Sequence, residues 1–496
     1  MSSSAPNKNP RTVIRLLQTV TLLRSMGQGA ALAVTSLYLN ELGWSGAAIG
    51  AVIAGAGIFR AVLSVLASEI NALLGPKRYL LVYESLSLLA AILAAATSVS
   101  WLLAAAVIMA GLGSGHSGSG GPAAPIERAW LGAYARDKQR ARELFGSNAL
   151  FGYAGLGSGA LLACLPALFY GTSEGTGSFR LIYVCTAILT VACLYCLFRL
   201  QGGARKPKPA AEPAEADSKR LGEAAAESGK PRREGSKLIT LLSGIVIIVV
   251  LSGLLRSAGL RELSLFIPVL FFLLLLASVN YRLFRKPRTE REANGRTQEI
   301  KLMASVLGGV TATMTSTVSA YWFTVRYGVS PGMIGAVMGA SFLSAALVSR
   351  LTSRGSSRTS ALRTIIGLQS AAIVLLLVLP WVASFPPAAI IEICCTACCL
   401  GTRGSRTAVM MEDRGKAPRT LLARLNLLVV RLSAVTWPGV FVAFVARGHA
   451  VLPFCLAAVF QAIAAILFGF AYRREGRPDM AAPASPASST IESASR

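Results

Sequence analysis

Apolar runs of about 20 residues, the length that crosses a hydrocarbon core, recur along the whole chain, each closed by a short polar or basic stretch. They predict membrane helices at Thr12–Tyr38, Ala47–Leu73, Tyr79–Ser98, Trp101–Gly121, Leu144–Tyr170 and Phe179–Leu200. Two more runs lie at Leu238–Leu255 and Leu263–Phe284. A last group lies at Lys301–Phe323, Gly332–Leu351, Leu362–Ala383, Pro387–Met410, Leu421–Val445 and Val451–Tyr472. The expected architecture is all-α and polytopic, with fourteen spans arranged as six, two and six.

Composition supports a membrane class. Of 496 residues, 53% are hydrophobic and 15% charged, against about 25% charged in a typical soluble domain. The net charge of +26 raises the question of nucleic acid. Its placement answers it, because the bases collect in alternate loops, as the positive-inside rule requires. With the N-terminus inside, the inner loops carry Lys77 and Arg78, the group from Arg128 to Arg142, and the groups around Arg285, Arg363, Arg406 and Arg473. No nucleic-acid motif is present, and a cell-membrane protein with both termini cytoplasmic is expected. Most of the nine cysteines lie in apolar runs, so reduced packing residues are expected rather than disulfides. No signal peptide is expected, since the first apolar run is too long for one.

The chain also repeats itself. Gly43-Trp44-Ser45, followed by Ile49-Gly50-Ala51-Val52, returns as Gly328-Val329-Ser330, followed by Ile334-Gly335-Ala336-Val337. The offset of 285 residues also relates Arg78 to Arg363 and Glu127 to Glu412, which argues for a duplicated unit. The segments are then an inner N-terminus (1–11), a six-helix bundle (12–200), a disordered linker (201–237) and two extra helices (238–284). A connector (285–300), a second six-helix bundle (301–473) and a disordered tail (474–496) complete the chain.

Two six-helix halves with this loop pattern resemble the major facilitator superfamily of secondary transporters. Gly43-x-Ser45 with Ile49-Gly50 is similar to that family's turn into the second helix, and Gly75-Pro76-Lys77-Arg78 resembles its motif between helices 2 and 3. The acid of that motif falls at Ala72, with Asn71 and Glu69 nearby. Pro125-Ile126-Glu127-Arg128 resembles the inner end of the family's fourth helix and is echoed by Glu412-Asp413-Arg414. The resemblance implies an inward gate latched by charge pairs: Arg78 with Glu127, and Arg363 with Glu412. The gating candidates are therefore Glu69, Lys77, Arg78, Glu127, Arg363 and Glu412. The competing reading is that these are solvated loop ends. The glycines from Gly152 to Gly159 match the family's helix-5 region without its proline, and permit close helix approach.

Ionisable residues inside the bilayer are functional hypotheses by default. Arg24 and Arg60 each lie about 12 residues from an inner helix end, roughly 18 Å deep, and Arg431 falls at a similar depth. Two readings stay open. Either Arg24 and Arg60 meet an anionic group of a substrate, or they bond helix-end carbonyls and structure the bundle with Gln28 or Asn148 nearby. His116, within Gly113-Ser114-Gly115-His116-Ser117-Gly118, has the titration range of a proton relay or is a hydrogen-bonded residue in a loosened helix. Thr311, Thr313, Thr315, Ser316, Thr317 and Ser319, with Tyr321 and Trp322 beyond, either line a wetted path or bond their own backbone. Helices 1, 4, 7 and 10 line the cavity in the family, so the resemblance adds Gln28, His116, Thr315 and Glu392 to Arg24, Arg60 and Arg431 as substrate-binding candidates. The Cys394–Cys399 cluster reads as packing rather than as a metal site.

The function expected is secondary active transport of a small organic solute by alternating access, with efflux favoured on helix number alone. Uptake of a small organic anion is the alternative. H+ or Na+ is the candidate coupling ion, no cofactor is expected, and a monomer in the lipid bilayer is the expected state. An integral-membrane enzyme would need a cluster of acids or histidines that the sequence does not group. A non-transporting receptor would need a large folded soluble domain.

Overall fold

The computed structural model describes residues 10–112, 121–135, 138–164, 176–200, 290–353, 358–406, 441, 444–445 and 447–475. The two extra helices, the linker, most of the span at Leu421–Val445, and His116, Glu412 and Arg431 lie outside the described residues.

The first half contains α1 (Pro10–Glu41), α2 (Gly46–Leu74), α3 (Pro76–Ala96), α4 (Ser100–Ala110), α5 (Ala124–Gly132), α6 (Lys138–Leu162) and α7 (Thr176–Arg199). The second contains α8 (Glu290–Tyr327), α9 (Pro331–Ser353), α10 (Arg358–Val378), a 3-10 turn at Leu379–Trp381, α11 (Phe385–Gly401) and α12 (Leu452–Glu475). Six described helical stretches are long and apolar enough to cross a membrane, the last turns of α11 included as far as Arg406. α1, α2 and α8, of 32, 29 and 38 residues, are also longer than a crossing needs.

The duplication is visible in backbone and packing alike. Gly43 and Gly328 both take positive φ, 78° and 62°, a conformation that costs a residue without a Cβ little. Each reverses the chain between two helices. Three residues after Gly43, α2 begins at Gly46; three after Gly328, α9 begins at Pro331. Ser45 and Ser330 then give their carbonyls to the amides of Ile49 and Ile334. In the first half α1 packs on α7, α3 on α7 and α4, and α2 on α4. The second half repeats these contacts as α8 on α12, α10 on α12 and α11, and α9 on α11.

Burial is inverted relative to a soluble bundle. Ile188, Val191, Tyr195 and Phe198 form an exposed apolar stripe at helical spacing on α7, as do Val459, Ile463, Ile466 and Phe470 on α12. These stripes suit lipid. Hydroxyls inside satisfy themselves locally: Thr21, Ser25, Thr35, Ser64, Thr186 and Thr190 each donate to the carbonyl one turn back.

The predicted continuous helix over Trp101–Gly121 is corrected. α4 stops at Ala110, capped by Gly111 in the left-handed region (φ 64°), and helix resumes at Ala124. Gly111 and Gly121, both at positive φ, close α4 and precede α5, whose start Pro122 and Pro125 flank.

Helix α6 has two packing faces. A Cβ on Gly155 or Gly159 would strike the α1 backbone at Leu22 or Met26, and one on Gly29 would strike α6 at Leu156. Gly157 points elsewhere, with the Gly339 carbonyl 2.8 Å from where its Cβ would stand. One apolar core accordingly runs from Tyr153, Leu156 and Ala160 of α6 into α8, α9, α11 and α12. Replacing Gly159 by Leu should therefore destabilise the protein by at least about 1–3 kcal/mol, read as a lowered Tm in detergent. Gly177→Ala, with nothing within 4 Å of the added methyl, should stay within about 0.5 kcal/mol of the parent. Equal behaviour of the two would mean that the α1–α6 approach is not tight.

Candidate functional site

The buried charges of the first half form one network. Arg24 on α1 is 7% exposed and donates through Nε to Glu84 of α3. Its Nη1 lies 2.6 Å from Glu127 Oε1 on α5. Both carboxylates are 1% exposed, and the Tyr83 ring lies beneath the guanidinium, 5.8 Å from centroid to Cζ. Neither reading of Arg24, a substrate anion or helix-end carbonyls, names these partners. Two carboxylates from separate helices already occupy it, which is how a buried charge is tolerated in a low dielectric.

The break in the fourth span contributes to this network. Glu127 sits in the first turn of α5, where the helix dipole favours an anion. Arg60 on α2, 3% exposed, points into the other side of the break and donates from Nη1 to the Gly111 carbonyl at 3.3 Å. A Cβ on Gly111 would overlap the Arg60 stem, and one on Gly121 would stand 3.1 Å from its Nη2. Of the two readings, the helix-end carbonyl describes the Arg60 contact. The C-terminal end of α4 also favours the cation.

The latch between Arg78 and Glu127 is not made in this structure. Arg78 is exposed at the start of α3, whereas Glu127 is buried against Arg24. A carboxylate already desolvated and paired cannot also serve a solvated arginine. Lys77 instead donates to the Phe198 carbonyl at 3.0 Å, satisfying the C-terminal end of α7. Glu69 and Arg363 are exposed on α2 and α10. Gln28 is half-buried on α1, one turn beyond Arg24.

In the second half Glu392 lies about 10 Å along α11 from its start and is 4% exposed. Its Oε1 accepts from Ser319 Oγ of α8 at 2.9 Å and from Thr396 Oγ1 at 3.2 Å, while Oε2 has no partner. Among the described residues no arginine or lysine pairs with it. The hydroxyls of α8 therefore divide. Ser319 serves Glu392, whereas Thr311 bonds the Leu307 carbonyl and the Ala457 carbonyl of α12. Thr315 lies between them on the same helix. Trp322, expected beside a wetted path, is instead 1% exposed and packed edge-on against Phe323, Tyr327 and Phe454. The cysteines of α11 are free thiols, with Cys395 and Cys399 in the apolar core.

Sequence reasoning misses two features. Depth along its span puts Glu84 toward the inner edge and names no partner for it. Loop counting treats Arg406 as an inner-loop base, although it falls within the predicted span Pro387–Met410. It is 8% exposed, and its Nη2 reaches the Cys399 carbonyl at 3.4 Å.

Apart from Glu127, which recurs as Glu412, the buried charges fall at non-equivalent positions in the two halves. At the 285-residue offset, Arg24, Arg60 and Glu84 correspond to Gly309, Ala345 and Gln369, while Glu392 and Arg406 correspond to Val107 and Gly121. Gln369 is as buried as Glu84, so the position is kept and its charge is not.

Arg24→Met alone should cost about 3–5 kcal/mol, because Glu84 and Glu127 are then buried without a cation. Adding Glu84→Gln and Glu127→Gln should recover most of that loss in the same thermal unfolding assay. A triple variant as unstable as the single one would refute the coupling.

Comparison with known proteins follows this geometry. Among curated proteins none matches the chain in sequence. Among solved structures, the human organic anion transporter MFSD10 (TETRAN) is similar at TM-score 0.56 and 12% identity, over 93% of this chain and 100% of that one. A POT family transporter in complex with 5-aminolevulinic acid matches at TM-score 0.57 and 14% identity, over 93% and 96% of the two chains. The E. coli fucose:proton symporter FucP matches at TM-score 0.54 and 12% identity, over 92% and 98%. At such identities the likeness concerns the fold. The Major Facilitator Superfamily model matches residues 19–417, most of the chain, and with two halves of repeated packing and several membrane-length apolar helices this protein belongs to that superfamily of membrane transporters.

Proposed function

We propose that the protein is a secondary active transporter that moves a small organic solute across the cell membrane by alternating access, in the direction of efflux. The observation that carries this reading is the repeated packing of two halves whose buried charges differ. A shared scaffold permits rocking about a central site, and the unequal charges give that site its selectivity. The solved relatives handle small organic solutes by their titles, one of them with protons, which supports H+ over Na+ as the coupling ion. Within this reading the two extra helices stand between the halves as a fourteen-span variant, both termini are cytoplasmic, and the monomer is the working unit. The charge alternation of the loops supports the orientation. Glu392, Gln28 and Thr315 remain the residues offered to solute on α11, α1 and α8. Uptake of a small organic anion is the second reading, and the buried guanidinium of Arg406 favours an anionic solute.

Purified protein in proteoliposomes should show counterflow of at least one member of a pool of radiolabelled anionic, neutral and cationic solutes. In everted vesicles an imposed proton gradient should drive accumulation that an uncoupler abolishes. Counterflow no greater than in protein-free vesicles would sink the transporter reading, while accumulation indifferent to the uncoupler would remove only the proton. For orientation, a Gly46→Cys variant should react with an impermeant thiol reagent from outside the cell. Labelling from the cytoplasm alone would reverse the assigned topology.

A further inference from the structure

Resting on the transporter reading, we infer that Arg406 is the recognition residue for an oxyanion, the carboxylate or phosphate group of an organic solute, at the junction of the two halves. Arg406 is more than nine-tenths buried. A guanidinium has five donors, yet the hydrogen bond the structure gives it is the long one to the Cys399 carbonyl, and its Nε has no partner. Among the described residues no carboxylate pairs with it. This is the converse of Arg24, which has two.

The surroundings are arranged for a planar cation and its guest. Gly308 of α8 leaves the room that the guanidinium uses, since a Cβ there would stand 2.5 Å from Nη1. Gly404 brings the same turn against α6, with Ala149 Cβ 3.2 Å and Ser349 Oγ 3.3 Å from where its own Cβ would lie. The Ser349 hydroxyl of α9 is fully buried without a partner. A second buried polar group thus lies against the same turn. Arg403, one turn earlier, adds positive potential. The turn that carries Arg406 therefore packs against α6, so parting the halves would open it to solute. A bidentate oxyanion would satisfy Nε and Nη2 together, which a point-charge lysine cannot reproduce. Arg406 closes the apolar stretch that begins at Phe385, toward the basic end of the bundle, where efflux would collect its substrate.

The full-length protein in detergent is titrated with phenyl phosphate, benzoate and the neutral benzyl alcohol, with thermal unfolding as readout. Both oxyanions should raise the Tm of the wild type, and benzyl alcohol should not. Arg406→Lys should weaken oxyanion binding about tenfold and Arg406→Gln about 100-fold. Gly308→Ala keeps the charge but displaces the guanidinium, and should also weaken binding at least tenfold; this variant carries the test if Arg406→Gln does not fold. Identical oxyanion shifts in wild type and Arg406→Gln, or no shift in wild type, would overturn the assignment. The outcomes separate from the function: a wild type that exchanges neutral or cationic solutes but ignores both oxyanions loses the anion site and remains a transporter.

Discussion

Helix α6 is held between α1 and α9, and the distance on each side is set by glycines whose Cβ positions are already occupied by neighbouring backbone. Lipid offers no hydrophobic driving force between helices, so close packing has to supply the association energy. Gly155 and Gly159 supply it inside the first half, and Gly157 supplies it between the halves. The Tyr153–Ala160 segment then belongs to the second half's apolar core while its helix belongs to the first. Arg24 and the turn that carries Arg406 both rest on this shared helix, because it packs on α1 in one direction and on α9 in the other.

Within these packed helices the charges follow a simple division. The first half neutralises its own: Arg24 takes two carboxylates, and Arg60 lies against the carbonyl end of a broken helix. Among the described residues, the second half leaves a carboxylate and a guanidinium far apart along one span, each with only neutral hydrogen-bond partners. Paired buried charges are rigid and expensive to separate. Singly held ones gain most from a ligand or a proton. Duplication supplied two equal scaffolds, and substitution at positions such as Gln369 and Ala345 made them chemically unequal.

Much of this was legible in the residues. The positive-φ glycines, the serine carbonyls that open α2 and α9, and the paired contacts of the halves all follow the 285-residue offset. Local chemistry repeats with the unit, so one-dimensional reading reaches it. The Arg24 network was not legible, because its partners are 60 and 103 residues away on other helices. Depth along a helix says nothing about which helices adjoin. Loop charge counts likewise hid Arg406, since a base near a membrane edge looks solvated until the helical stretch from Phe385 is seen to reach it. The end of α4 was signalled by Gly111, but hydropathy, which scores glycine as neither breaker nor filler, ran through it.

The Lys77 contact has a mechanical side. By holding the Phe198 carbonyl, it ties the last turn of α7 to the tight reversal between α2 and α3. The polypeptide that goes on to the second half therefore departs from an anchored corner of the first, not from a frayed helix end. A tilt of the first half carries that corner with it. Exchanging or lengthening that connection would change the tether while leaving its point of attachment where it was.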